Sequence, residues 1–478
     1  MRGRVLTTLI LAGAMALGAC GSGDEGSSDG KVTITLAGPN QWNENPKSFG
    51  PAWEKLVSEF EQTEKDIEVR TTVLPLSSFN ETISTRLAAG TAPELVFNQA
   101  SYKPYMVRPL DEYLKKPNPY VPGNERWIDL FREEYYGWKY SKGVNAEGHI
   151  EFVPFNLVGV AVFYNKDAFD EAGVGPPETF AELMTTCGKL RAAGYTPFAM
   201  DNSDIGTGWT VSTISNMLFA KYFDQLNDYG PDNEPGKAEQ LTAKSWAKAI
   251  LTGEISATRT PEAAETLRLL KQFYDTCVTE NWSGVTGTQG AVVGLREFSS
   301  GKAAMAWGVN FGLSALEDVD FPVASMPFPT ITEESSELST DWPAQFGVST
   351  GGTSYMIPST VEGEKLEAAV KFLQFASAPE HIDAWLEATG GIPALRDVEP
   401  SEATAGFLEG GWGEPMKVGG IPAGPPGTTV VSVFDGWLLG SKSRDQALAH
   451  LQDMWDKSQA KAVEDNGWTD EPWAKKAG

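Results

Sequence analysis

Five aromatic residues stand in loops rich in glycine and polar residues rather than on amphipathic stripes. They are Trp42 in NQWNEN, Trp209 in GTGWTV, Trp307 in AWGVN, Tyr355 in GGTSYM and Trp412 in GGWGE. A flat ring covers the C–H face of a pyranose, and fixed polar side chains pair with its hydroxyls. The polar groups stand in comparable loops: Asn40, Gln41, Glu44, Asn98, Gln99, Asn156, Asp201 and Asn310, with Tyr102 beside Asn98 and Gln99. Asn and Gln offer both donor and acceptor, which suits hydroxyls. The pattern points to capture of a neutral sugar. The competing reading of each ring is a partly buried loop anchor, and of each Asn or Asp, ordinary turn chemistry. Trp53 and Trp385 fit helix stripes and belong to the core.

Catalytic constellations are scarce. The chain has three His, and none stands in a zinc-ligand spacing. It carries no phosphate-binding loop, no G-x-S-x-G elbow and no Cys placed as a nucleophile. No catalytic residue, metal or cofactor is expected. Paired carboxylates of the glycoside-hydrolase kind remain open, because 64 acids always contain candidate pairs. A secreted glycoside hydrolase is therefore the alternative from another class. A cell-surface adhesin has no repeat or Ser/Thr stalk behind it.

These residues need elements to carry them. KVTITLA at 31–37 alternates and is rich in β-branched residues, so it reads as a strand. Trp53, Leu56, Val57 and Phe60 form a helix stripe. Residues 66–74 read as a second strand, Phe79, Ile83 and Leu87 mark a second helix ending at Gly90, and 93–97 read as a third strand. Strand and helix in alternation give an α/β fold with helices over a parallel sheet. Further on, FVPFNLVGVAVFYN reads as a strand, NKDAFDEAG as a short helix stopped at Gly173, and Thr179 with Glu182 as a capping box opening another helix. About 450 residues exceed one core, so two or more lobes are expected.

Four blocks give these elements a family. FYNKDAFDEAGVGPPETFAEL at 163–183 resembles the "YNKDLF…AG…PPKTWDEF" block of the extracellular solute-binding proteins, family 1, of ABC transporters, with Phe180 where that block usually has Trp. RLAAGTAPELVF at 86–97 is similar to "KLAAGTAPDVV". FSSGKAAMAWG at 298–308 is similar to "FxxGKAAMxxxG". AAVKFLQF at 368–375, followed by GGIPA at 390–394, resembles "AAxxFLxFL" and "TGxxPA". Residues 227–254 and those beyond 398 carry no such block. The resemblance implies a two-lobed, periplasmic-binding-protein-like (type II) fold, hinged around a ligand cleft. Lobe one would be 31–153 plus 326–377, and lobe two 154–325 plus 378–478. It also implies a monomeric carbohydrate receptor that delivers its ligand to ABC permease subunits. The family includes receptors for phosphorylated polyols, which would want basic residues in the cleft.

The first residues read as an export signal. Two arginines precede an apolar run too short to span a membrane, and Leu17-Gly18-Ala19-Cys20 resembles a lipobox. Residues 1–19 would be a signal peptide, Cys20 the lipidated residue, and 20–30 a polar tether. The product would sit on the outer face of a bacterial cytoplasmic membrane. With Cys20 lipidated, Cys187 and Cys277 are an even pair in an oxidising compartment; they form a disulfide or stay as two buried thiols. The net charge of −26 repels nucleic acid and offers no basic patch for anionic lipid.

Overall fold

The computed structural model describes residues 30–41, 48–99, 102–138, 144–145, 147–287, 291–420 and 424–474. Cys20, Trp42 and Glu44 lie outside them. The strands are β1 (Val32–Pro39), β2 (Ile67–Leu74), β3 (Leu95–Phe97), β4 (Phe152–Pro154), β5 (Asn156–Asn165), β6 (Thr196–Ala199), β7 (Ala303–Val309), β8 (Val323–Met326), β9 (Val348–Ser349), β10 (Ser354–Met356) and β11 (Ile392–Pro393).

They form two sheets. The first has the order β2-β1-β3-β10-β4, with β1, β2 and β3 parallel and β10 antiparallel to both its neighbours. The second has the order β11-β5-β7-β6, with β8 and β9 also paired to β5. In it β6 and β7 are parallel, and β5 runs against β7.

Local sequence explains the elements around the sheets. The helix Pro51–Thr63 starts on proline and buries Trp53, Leu56 and Phe60. Asn165 caps the helix Lys166–Ala172, which stops at Gly173 in the left-handed region (φ 62°). Thr179 and Glu182 form the capping box of the helix Phe180–Ala192. Cys187 on that helix is disulfide-bonded to Cys277, the last residue of the helix Pro261–Cys277, with the Cα atoms 5.2 Å apart.

Three passages join the sheets. β4 gives way to β5 at Phe155. β9 gives way to β10 over Thr350–Thr353. The third follows the helix Pro379–Thr389, where Gly390 and Gly391 lead into β11. The resemblance put the last two passages at 325/326 and 377/378. Strand pairing instead keeps β8 and β9 with the second sheet. The helix Pro379–Thr389 lies with the first sheet's core, Trp385 against Trp53 with ring centroids 5.3 Å apart. Pro379 is the first residue of that helix and not a crossing point.

Candidate ligand-binding cleft

The parallel strands of the first sheet end at Pro39, Leu74 and Phe97, beside the start of β10 and the end of β4. In the second sheet, β6 and β7 end at Ala199 and Val309, and Val309 pairs with Val160 near the start of β5. All three passages leave from these edges. The carboxyl ends of the two sets of strands therefore face a common cleft, the position where open α/β sheets bind ligands.

Most of the residues singled out in the sequence fall along these edges, but many have structural partners. Asn40 follows β1, and its Oδ1 accepts the Leu76 N–H at 2.8 Å, capping the helix Leu76–Ala89. Asn98 follows β3 and donates its backbone N–H to Ser354 O at 2.9 Å. Gln99 is exposed beside it. Asn156 is buried, and its Oδ1 accepts the Thr353 N–H at 2.6 Å. Asp201 is buried and accepts the N–H groups of Ser203 (2.9 Å) and Gly294 (3.0 Å). Asn310 is buried at the exit of β7 and bonds to β5 and to Gly390. Tyr102 is half-buried against the first core. Its hydroxyl donates to Glu151 at 3.3 Å, and burial together with that carboxylate raises its pKa.

The aromatics need more correction. Trp307, Tyr355 and Trp412 are core residues, none more than 1% exposed. Trp307 stacks on Phe328 (5.4 Å, 10°) and Trp412 (6.1 Å, 21°), and its indole donates to Thr210 Oγ1 at 2.9 Å. Trp412 donates to Val160 O at 2.7 Å. Tyr355 packs between Phe97 and Phe155. Glycine neighbours suggested open loops, but Gly308 marks close packing instead: a Cβ there would meet the Phe163 ring at 2.1 Å.

Trp209 is not in a loop. It lies in the helix Asp204–Phe219, which follows β6. Gly206 is there because a Cβ would strike Met200 Sδ at 2.3 Å. Trp209 is half-buried, edge-on to Trp307 (6.1 Å, 69°) and to Phe346 (6.1 Å, 89°). Phe346, also half-buried, packs on Trp412 at 5.5 Å. Two residues beyond Trp307 on the same face of β7, Val309 is half-buried as well. The buried Trp307–Trp412 pair thus backs a partly open apolar wall of Trp209, Phe346 and Val309. Phe346 was missed in the sequence, although DWPAQFGVS carries the same aromatic-in-loop signal.

Polar groups flank this wall. Gln345 is buried, accepts the Trp342 indole N–H at 2.9 Å and donates to Glu414 at 3.1 Å. At the passages, the hydroxyls of Thr353, Ser354 and Tyr355 are buried with no partner among the described residues. No group of three or more potential metal-ligating side chains occurs among the described residues.

A hinged pair of α/β lobes with a cleft at their strand ends defines a class of solute receptors. The chain matches the family described as bacterial extracellular solute-binding protein over residues 55–406, and it belongs to that family of exported proteins. It is 21% identical over 374 residues to the multiple sugar-binding protein of Streptococcus mutans serotype c, covering 78% of this chain and 77% of the relative. It is 24% identical over 274 residues to the sn-glycerol-3-phosphate-binding periplasmic protein of Escherichia coli strain K12, covering 55% of this chain but only 53% of that relative. Among solved structures it resembles the apo-form of RafE from Streptococcus pneumoniae with a TM-score of 0.59 and 17% identity, covering 91% of this chain and 99% of RafE. RafE in complex with raffinose matches with a TM-score of 0.56 and 17% identity, over 90% of this chain and 100% of RafE. The fold is the two-lobed, type II periplasmic-binding-protein-like one.

Proposed function

We propose that this protein is an extracytoplasmic lipoprotein that captures a neutral mono- or oligosaccharide between its lobes and delivers it to an ABC permease. The observation that carries the carbohydrate reading is the half-buried wall of Trp209, Phe346 and Val309 on a fixed aromatic backing. Trp209 and Phe346 stack on the sugar, and the amides and hydroxyls around the passages pair with its hydroxyls. The polar neighbours described beside the wall are the Gln345 amide and the Glu414 carboxylate, which favours an uncharged ligand over an anionic one. The relatives named for sugar and raffinose support the same choice. The relative named for glycerol phosphate supports the second reading, a phosphorylated polyol receptor.

A thermal-shift panel of mono-, di- and oligosaccharides, with glycerol phosphate as the anionic control, separates these readings. A true ligand at one hundred times its dissociation constant stabilises the fold by about 2.7 kcal/mol. The hit should be recovered unchanged by chromatography after long incubation. Turnover would make the protein a glycoside hydrolase, and a shift with glycerol phosphate alone would leave a receptor for a different solute.

A further inference from the structure

Asn310 stands at the exit of β7 and is 1% exposed. Its side-chain amide reaches two separate pieces of chain. Oδ1 accepts the Gly159 N–H at 3.1 Å, and Nδ2 donates to Gly390 O at 2.9 Å and lies 3.5 Å from Leu157 O. Gly159 and Leu157 belong to β5, in the second sheet. Gly390 ends the helix Pro379–Thr389, whose Trp385 packs on Trp53 in the first lobe. One buried amide therefore ties the start of β5 to the third passage and joins an element of one lobe to an element of the other.

The fit at this point is close. A Cβ on Gly390 would meet Asn310 O at 2.5 Å, and one on Gly391 would meet Leu386 Cδ2 at 2.7 Å. At the neighbouring passage a Cβ on Gly352 would meet Asn156 O at 2.5 Å. Glycine is the only residue that lets these backbones approach so nearly. A hinge packed this tightly transmits rotation of one lobe to the bonds across it, because packed contacts switch between arrangements rather than stretch.

We infer that Asn310 is a latch that holds the two lobes in the arrangement seen here, so that it sets the resting position of the hinge before any ligand binds. The cross-lobe bond from Nδ2 to the Gly390 carbonyl exists only while β7 and the helix end stay together. Without the amide, the buried Gly159 N–H and the part-buried Gly390 carbonyl both lose this partner, which a protein relieves by admitting water. The arrangement that admits water there is one in which the passages part. Loss of the latch therefore populates a more open molecule, and Asn310 acts as a positioning residue whether or not it touches ligand.

The test uses the ligand-free chain, so it stands or falls separately from the carbohydrate reading. Small-angle scattering and thermal melting are compared for wild type, Asn310→Ala and the control Asn165→Ala, which removes a buried asparagine whose side chain accepts the Ala168 N–H within the second lobe. Losing one buried hydrogen bond should change the ratio of the two arrangements about five-fold or more. Asn310→Ala should then show a larger radius of gyration than wild type, while Asn165→Ala melts earlier at unchanged size. If Asn310→Ala does not fold, Asn310→Ser, too short to reach Gly390, takes its place under the same criterion. A folded Asn310 variant with the wild-type radius, whatever its melting temperature, overturns the inference.

Discussion

At the scale of single residues, exposure separates two kinds of tryptophan that look alike in the sequence. Trp307 is fully buried, with its indole N–H satisfied by Thr210, so Trp307→Ala should destabilise the fold by about 3–5 kcal/mol. Trp209 is half-buried at the cleft, so Trp209→Ala should lose ligand affinity at a smaller cost in melting temperature. Denaturant melts of both variants check this; equal stability losses would remove the distinction. Glu151 gives a second prediction. It is buried, and burial raises its pKa more than its bonds from Asn145 (2.9 Å) and Tyr102 lower it. The folded chain then holds this proton more tightly than the unfolded one. Stability from this group is greatest below the ordinary carboxylate range and is lost as pH rises through the raised value. Glu151→Gln removes that loss. In urea melts across acidic pH, the stability of wild type relative to the variant should fall with rising pH and level off near neutrality. Parallel curves would contradict the assignment.

At the scale of elements, the bond between Cys187 and Cys277 ties the helix Phe180–Ala192 to the helix Pro261–Cys277 across 90 residues of chain. Closing such a loop contributes on the order of 2–4 kcal/mol. Unfolded, unreduced protein should show neither of these two thiols to a thiol reagent, and reduction should lower the melting temperature; two reactive thiols would contradict the pairing. The elements themselves were largely legible, because they are local. β1 alternates, the Pro51–Thr63 helix repeats its apolar residues at helical spacing, and Thr179 with Glu182 announces a helix start. The passages were less legible. Where the chain changes sheet depends on strand pairing between residues far apart, such as Val158 with Ser349, and prolines do not report it. The aromatic wall was half legible for the same reason. Glycine beside Trp307 serves contact with Phe163 across the sheet, a neighbour that no local pattern reveals.

At the scale of the whole molecule, two lobes are joined by three passages, and under the proposed function a ligand that binds one arrangement of the lobes better than the other would shift the molecule toward it. No helix among the described residues is long and apolar enough to cross a membrane. Attachment through lipid at Cys20 is therefore a separate prediction, motivated by LGAC. In a bacterial expression host the full chain should fractionate with membranes and Cys20→Ser should release it; a mutant that still sediments with membranes would reject lipidation at that site. The central claim is recognition of an uncharged sugar by the wall at the second lobe's strand ends. Calorimetric titration of the best sugar from the panel into wild type, Trp209→Ala and Phe346→Ala tests it most directly, with glycerol phosphate titrated alongside. The expected result is saturable binding of one sugar per wild-type chain, weakened about tenfold or more by either substitution as a stacking contact is lost, and no heat from glycerol phosphate. Sugar binding unaffected by both substitutions, or saturable binding of glycerol phosphate alone, would contradict it.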